Sequence, residues 1–203
     1  MIEILRLAGT YEIIGLLDPD LEKWNTRVLG VPVLGNDDLL PGLLAQGVRD
    51  VFIGVGGVGN TTPRRLLYEK AVEMGYRMPS IIHPQAIVSP SVYIGQGANI
   101  LPGAILNADV RVGQNVIINS GAIVEHDCIV EDHVHIASGA RLAGAVHVQM
   151  GAHIGLGASV RQGLTIGRQA VVGAGAVVVK DVAAGLVVVG VPARILKSQR
   201  VNE

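Results

Sequence analysis

The chain has 203 residues, close to half of them hydrophobic, and a formal net charge of −1 at pH 7, so we expect neither nucleic acid nor an anionic membrane as a partner. A single cysteine, Cys128, excludes an internal disulfide framework and favours a reducing compartment. No secretory signal pattern or long uncharged apolar run is visible, which predicts a cytoplasmic protein without a membrane span.

Residues 1–80 form the first predicted domain, in which helices alternate with buried strands. This alternation favours a small parallel α/β unit. The unit opens on a helix with no strand before it, so we expect it to be incomplete at its N-terminus. The predicted helices are Met1–Leu7, Asp37–Gln46 and Pro63–Met74, and the predicted strands are Tyr11–Leu17 and Val51–Val55.

A six-residue repeat dominates the remainder of the chain. Every sixth residue from Val88 to Val178 is Val, Ile or Leu, and a second column from Ala86 to Ala176 is small or medium and apolar. This period is the signature of a parallel β-helix, in which three short strands complete a coil of about eighteen residues. We predict a β-helix domain over residues 81–196 and a polar tail over residues 197–203.

The position three residues after the inward Val, Ile or Leu is the predicted corner of each repeat. Glycine recurs there, and Asp109, Asn115, Asp127 and His133 occupy further corners. These residue types tolerate the left-handed backbone that a sharp corner requires. The side chain one residue before each inward position should point outward from the prism. Four of these outward residues in the middle coils are isoleucines, which predicts a self-association surface: Ile105, Ile117, Ile123 and Ile129.

His126 is the first candidate for chemistry. It lies next to a corner between two acidic residues, and Gly144 occupies the same column one coil further on. A glycine over an imidazole leaves open space, and histidine suits general-base catalysis because its pKa is near neutral. The alternative is an ordinary surface histidine beside acids, with Asp127 present only because corners favour aspartate.

His135 follows His126 by half a coil, so the two should face opposite sides of the prism. If both serve one site, that site must lie between subunits. His135 also stacks on His153, which could form a metal pair, as in an enzyme resembling the gamma-class carbonic anhydrases. The His-x4-His pair typical of those enzymes is absent. A third alternative is a trimeric scaffold without catalytic activity.

Four segments resemble the sialic acid O-acetyltransferase family, which includes UDP-4-amino-sugar N-acetyltransferases. They are Asn119–Cys128 (NSGAIVEHDC), His135–Ala140 (HIASGA), Ala143–Val146 (AGAV) and Gly190–Arg194 (GVPAR). The resemblance implies a left-handed parallel β-helix after a small Rossmann-like α/β domain, and homotrimers with active sites between subunits. It also implies acetyl transfer from acetyl-CoA to an amino or hydroxyl group of a nucleotide-linked or sialic-type sugar, and does not choose between the two groups.

The resemblance also implies roles for individual residues. His126 matches the general base that deprotonates the attacking sugar group, and Asp127 matches the acid that orients it. No metal ion is implied. The positions that match acetyl-CoA contacts are His135, Gly144, Leu156 and Ala174.

In the α/β unit, three residues match positions that contact the nucleotide sugar in the family. Asp18 and Pro19 end one predicted strand, and Gly56 follows another. Ligands of open α/β sheets bind beyond the carboxyl ends of the strands, which agrees with both placements. The family opens with a strand and a glycine-rich turn, and this sequence begins at the following helix. Acetyl-CoA binding is therefore predicted more firmly than acceptor binding.

Overall fold

The computed structural model describes residues 1–198, which form a small N-terminal α/β unit followed by a long parallel β-helix. In the part of the chain that the structure describes, no helix is long and apolar enough to cross a membrane. Residues 199–203 of the predicted polar tail lie outside the described residues. The last strand runs to Ser198, two residues beyond the predicted end of the β-helix domain.

The α/β unit contains three helices and a three-stranded sheet. The sheet has the order β1-β3-β2, with β1 parallel and β2 antiparallel to the central strand. All three predicted helices are confirmed. Their ends agree with the prediction to within one residue, except that the second helix begins at Leu40, after a 3-10 turn over Asp37–Leu39. The elements are α1 (Ile2–Ala8), β1 (Leu16–Leu17), a 3-10 turn (Leu21–Lys23), β2 (Arg27–Val28), β3 (Val31–Gly35), a second 3-10 turn (Asp37–Leu39), α2 (Leu40–Ala45) and α3 (Thr62–Glu73).

Both predicted strands of this unit are largely wrong. Only the last two residues of Tyr11–Leu17 form a strand, which pairs with β3. Val51–Val55 contains no strand, since its one bond to another backbone group within the described residues runs from the N–H of Val51 to the carbonyl of Arg77. A strand requires a partner along its length, and these apolar segments lack one. β3, which carries Pro32, was not predicted.

The β-helix begins at β4 and consists almost entirely of two-residue strands. Its strands are β4 (Ile81–Ile82), β5 (Ile87–Val88), β6 (Tyr93–Ile94), β7 (Asn99–Ile100), β8 (Ile105–Leu106), β9 (Arg111–Val112), β10 (Ile117–Ile118), β11 (Ile123–Val124), β12 (Ile129–Val130), β13 (His135–Ile136), β14 (Arg141–Leu142), β15 (His147–Val148), β16 (His153–Ile154), β17 (Ser159–Val160), β18 (Thr165–Ile166), β19 (Val171–Val172), β20 (Val177–Val178), β21 (Leu186–Val189) and β22 (Arg194–Ser198).

Three parallel sheets form the sides of a triangular prism. Face 1 has the order β22-β21-β19-β16-β13-β10-β7-β4, face 2 the order β20-β17-β14-β11-β8-β5, and face 3 the order β18-β15-β12-β9-β6. Within each face, a strand pairs in register with the strand three positions later in the chain. Ile117 of β10 is thus paired with His135 of β13. The only antiparallel pair in the prism joins β21 to β22 at its C-terminal end, within the described residues. Residues one coil apart are therefore stacked, as the six-residue repeat predicted.

The two predicted apolar columns form the core of the prism. From Ala98 to Val178 their side chains are almost completely removed from solvent, and Leu164, at 7%, is the most exposed. The predicted corners are confirmed as well, because Asp109, Asn115, Asp127 and His133 all have a positive φ near 60°. The sequence pattern thus determines both the interior and the bends of the prism.

The outward isoleucines do not form the single surface that the sequence predicted. Ile117 is on face 1 and is only 6% exposed, whereas Ile105 and Ile123 are on face 2 and Ile129 is on face 3. On face 2 the column continues to Ile87, which is 64% exposed. A shorter apolar column of three isoleucines on face 2 therefore replaces the predicted patch.

A substitution in the core should have a large effect on stability. Leu142→Ala removes a completely buried side chain, and we expect it to lower the free energy of unfolding by about 2–5 kcal/mol because a cavity remains. Chemical denaturation monitored by circular dichroism measures this loss. Leu66→Ala on α3 is the matched control, since Leu66 is 55% exposed and should cost less than about 1 kcal/mol. Equal losses in both variants would contradict the assignment of the core.

Candidate active site

His126 lies on the edge of the prism where face 2 turns into face 3, directly after β11. Its Nδ1 atom is 2.8 Å from Oδ2 of Asp127. A carboxylate only accepts hydrogen bonds, so Nδ1 carries the proton and Nε2 keeps its lone pair. Asp127 occupies the left-handed corner itself, with φ of 61°, which places its carboxylate beside the preceding side chain. The corner thus produces an oriented imidazole with a free basic nitrogen.

The charge around His126 favours its protonated form. The hydrogen bond to Asp127 is the main cause that raises the pKa of His126 above its usual value, and the negative charges of Asp127 and Glu125 add to it. Partial desolvation of the ring opposes the rise but does not cancel it, and 63% of the side chain is exposed. The imidazole therefore has increased basicity while it remains accessible to a substrate.

Gly144 lies directly over the imidazole, as the repeat predicted. A Cβ atom at this position would be 2.7 Å from both Cε1 and Nε2 of His126, which is closer than real Cβ contacts. The backbone of Gly144 is not left-handed, so the reason for glycine here is space and not conformation. The basic nitrogen thus faces a gap that only a glycine leaves open.

Glu125 is oriented by a residue that the sequence analysis missed. Asn107, one coil earlier, donates a hydrogen bond of 2.7 Å from Nδ2 to Oε2 of Glu125. The eighteen-residue separation of the two was visible in the sequence, but a stacked polar pair is not distinctive there. Asn107 holds Glu125 in place, whereas the direct partner of His126 is Asp127.

Cys128, two residues after His126, is not positioned as a nucleophile. Its thiol is completely buried and lies 3.2 Å from the carbonyl oxygen of Ala143. Burial raises the pKa of this thiol to about 11, so the thiolate is scarce near neutral pH. The reactive group of this edge is therefore the imidazole.

His135 lies on face 1, opposite the edge that carries His126, as half a coil predicted. It does not face solvent, however, since it is only 4% exposed and the backbone of Gly57 lies close to its ring. Asn119 Nδ2 is 3.2 Å from its Nε2 atom. Burial is the main cause that lowers the pKa of His135, which keeps the ring neutral. The predicted acetyl-CoA contact is thus covered by the α/β unit of the same chain.

His153 lies one coil from His135, and the two rings meet edge to face with their centroids 5.0 Å apart. Burial lowers the pKa of His153 to about 4, and the Nδ1 atoms of both rings lack a hydrogen-bond partner in the structure. Among residues 1–198, no three His, Cys, Asp or Glu side chains are grouped so that they could hold a metal ion. The stacked pair therefore has no third ligand from the described part of its own chain.

Leu156 and Ala174 occupy a different edge of the prism, where face 1 turns into face 2. Both are exposed, Leu156 at 60%, and they are stacked one coil apart. Face 2 separates this edge from the edge of His126 and Gly144. Within one chain the structure brings His126, Asp127 and Gly144 together, and it leaves the other predicted acetyl-CoA contacts on other sides of the prism.

In the α/β unit, Asp18 and Pro19 directly follow β1. The carboxylate of Asp18 accepts from the backbone N–H of Asp20 at 3.0 Å and from Nζ of Lys23 at 3.0 Å, and these contacts lower its pKa. Gly56 is exposed, with open space where a Cβ would stand. Asp18 thus shapes its own loop, while Gly56 leaves room for a ligand.

A cavity of about 870 Å³ occupies the α/β unit. It is lined by both segments that the sequence predicted as strands, among them Tyr11, Leu16, Phe52 and Ile53, and it reaches Gly54 and Val55. The exposed Gly56 therefore directly follows two residues that line the cavity.

Comparison with known proteins shows what this arrangement resembles. A family model described as "Bacterial transferase hexapeptide (six repeats)" matches residues 109–144, the part of the β-helix that carries His126 and Gly144. No curated protein matched the chain.

Among solved structures, a histidine-substituted variant of perosamine N-acetyltransferase from Caulobacter crescentus, in complex with CoA and GDP-perosamine, is 41% identical. The match covers 97% of this chain and 90% of that one, with a TM-score of 0.90. The acetyltransferase domain of PglB from Neisseria gonorrhoeae, in complex with acetyl coenzyme A, is 38% identical over 96% of this chain and 91% of that one, with a TM-score of 0.88. WeeI from Acinetobacter baumannii is 30% identical over 95% and 91%, with a TM-score of 0.84.

Proposed function

Because this chain belongs to the family of hexapeptide-repeat sugar acetyltransferases, with their left-handed β-helix, we propose that it transfers the acetyl group of acetyl-CoA to an amino group of a nucleotide-linked sugar. The observation that carries the proposal is the geometry of His126, whose Nδ1 is bound by Asp127 and whose Nε2 faces the gap under Gly144. In this proposal residues 1–80 bind the nucleotide sugar and residues 81–196 bind acetyl-CoA.

The reaction follows from the free nitrogen of His126. Nε2 removes a proton from the sugar amine as the amine nitrogen attacks the acetyl carbonyl carbon of acetyl-CoA. A bond forms between this nitrogen and the carbonyl carbon, and the C–S bond of the thioester breaks. CoA leaves as the thiolate, and the imidazolium can return the proton to it. Asp127 stabilises the imidazolium through Nδ1. No acyl-enzyme intermediate is needed, which agrees with the buried, protonated thiol of Cys128.

A screen for acceptor-dependent release of CoA tests this function. The purified chain is incubated with acetyl-CoA and a panel of UDP-, GDP- and dTDP-linked amino sugars, and free thiol is measured. We expect release with at least one amino sugar and none with the analogue that carries a hydroxyl group in place of the amine. Release with the hydroxyl analogue alone would make the enzyme an O-acetyltransferase, and no acceptor-dependent release would refute the proposal.

We also propose that the active site is completed between subunits of a homotrimer. Two observations support this assembly: the predicted acetyl-CoA contacts lie on separated edges of one prism, and three isoleucines form an outward column on face 2, with Ile87 largely exposed. Light scattering should give a mass three times that of the chain. Mixing inactive His126→Ala with inactive Leu156→Trp subunits should restore part of the activity. Some subunit interfaces then combine an intact His126 edge from one chain with an intact Leu156 edge from the other. A monomeric mass or no restoration would contradict this assembly.

The pH dependence should reveal the role of Asp127. His126 must be neutral to act as a base, so kcat/KM should fall as the pH drops below its raised pKa. Asp127→Asn removes the carboxylate that raises this pKa, and we expect the acid limb of the profile to move to lower pH. The rate at the plateau should fall at the same time, because a neutral amide no longer stabilises the imidazolium that forms in the reaction. An acid limb that stays in place would show that another group controls it.

A further inference from the structure

Arg64 on α3 is a buried cation that neither the sequence analysis nor the proposed reaction uses. It is 2% exposed, and its guanidinium donates to carbonyl oxygens from two parts of the chain. Nη1 bonds Ile53 at 2.6 Å and Val55 at 2.8 Å, in the α/β unit. Nη2 bonds Gly97 at 3.3 Å and Nε bonds Asn115 at 3.4 Å, both at corners of the β-helix. One side chain thus joins the two units.

No carboxylate accepts a hydrogen bond from Arg64 within residues 1–198, so carbonyl dipoles alone compensate its charge. Burial lowers its pKa to about 10, which still leaves it charged near neutral pH. A buried cation is costly unless its donors are satisfied, and the planar fork of arginine suits several acceptors in fixed directions. The side chain therefore fixes the relative position of all four carbonyl groups.

Ile53 directly precedes, and Val55 lies near the start of, the segment of residues 54–59, which we call the glycine segment. It contains the exposed Gly56 and ends just before α3. A second contact holds its other end, where Oγ1 of Thr61 donates to the carbonyl of Gly151 at 3.1 Å. A segment with this composition is intrinsically flexible, and it is anchored to the β-helix on both sides.

We propose that Arg64 is a positioning residue for the sugar acceptor, which it serves by fixing the glycine segment to the β-helix. The inference rests on the proposed function, in which this segment contacts the nucleotide-linked sugar. The α/β unit covers face 1, opposite the edge that carries His126, so in the proposed trimer the acceptor meets Nε2 of His126 of the partner subunit. The acceptor is aligned with that nitrogen only if each α/β unit keeps a constant position on its own β-helix. A misplacement of about 1 Å can reduce a rate a hundredfold, which makes such an anchor consequential.

Steady-state kinetics of Arg64→Met separate this role from a general loss of structure. We expect the KM for the nucleotide sugar to rise about tenfold or more and the KM for acetyl-CoA to stay within about twofold. Arg64→Lys keeps the charge and the aliphatic stem but cannot bridge four carbonyls, so an intermediate rise is expected. Arg77→Met is the matched control, because the Arg77 side chain is 70% exposed and pairs with Asp50 within the α/β unit. Its kinetics should equal those of the wild type.

Hydrogen exchange gives a readout that does not depend on activity. In Arg64→Met, the hydrogen-bonded amides that flank the segment, those of Val51 and Arg65, should exchange faster, while those of the β-helix strands keep their protection. Unchanged exchange, or an equal rise in both KM values, would overturn the inference. Where Arg64→Met does not fold, Arg64→Lys decides by the same two criteria. If the wild type shows no acceptor-dependent transfer, the proposed function fails, and the exchange comparison alone then decides whether Arg64 holds the segment.

Discussion

Replacing His126 by alanine is expected to lower kcat about a hundredfold to ten-thousandfold while the fold is unchanged. The loss corresponds to the usual contribution of a general base. The side chain is 63% exposed and its one hydrogen bond joins it to the adjacent residue, so its removal leaves no cavity and no buried unpaired group. Acetyl transfer is measured by CoA release under saturating acetyl-CoA and acceptor, with thermal unfolding as the test of the fold.

His147→Ala is the control for this substitution. His147 also pairs with a carboxylate, since its Nε2 atom is 2.6 Å from Oε1 of Glu131, but the other oxygen of Glu131 accepts from the backbone of Met150. This pair is therefore a structural contact between neighbouring coils, and its loss should leave kcat within about twofold. If His126→Ala retained the wild-type rate, the base would have to be sought elsewhere.

Gly144→Ala should reduce kcat/KM about tenfold to a hundredfold, although it adds only one methyl group. The new Cβ would stand 2.7 Å from Nε2 of His126, so the imidazole must rotate away and its basic nitrogen leaves the gap above it. Because the backbone of Gly144 is not left-handed, alanine introduces no conformational strain, and the melting temperature should change little. The same CoA-release assay measures the loss.

Gly42→Ala provides the matched control for this methyl group. Gly42 lies in α2, and nothing stands within 4 Å of the position its Cβ would take. We expect wild-type kinetics and a gain in stability of about 0.5–1 kcal/mol, since alanine favours the helix. A Gly144→Ala enzyme as active as Gly42→Ala would show that the imidazole does not need the space.

The sequence predicted the β-helix and its reactive edge well because stacking converts spacing directly into position. Residues eighteen apart face each other across one strand spacing, so the contact between Gly144 and His126 could be derived by counting. The hydrogen bond of Asp127 was also foreseen, because His126 and Asp127 are consecutive in the chain. Neither result depended on how the two units pack.

The same counting failed where the α/β unit covers the prism. It gave the outward direction of Ile117 and His135 correctly, but both are buried, because direction says nothing about what lies on the other side. Arg64 was missed for a similar reason: its acceptors are four backbone carbonyls from three separate segments, which no side-chain pattern records. In the α/β unit, apolar runs such as Val51–Val55 resembled strands although no neighbour pairs with them.

The stacked columns also limit how such a chain can change in length. A whole coil of eighteen residues can be gained or lost near either end of the prism without turning any remaining side chain to another face. Between His126 and Gly144 no such freedom exists, since even a single inserted hexapeptide would carry the glycine to the next edge. Natural variation in the number of coils should therefore be found outside this interval, whose length is as strictly constrained as the identity of the residues at its two ends.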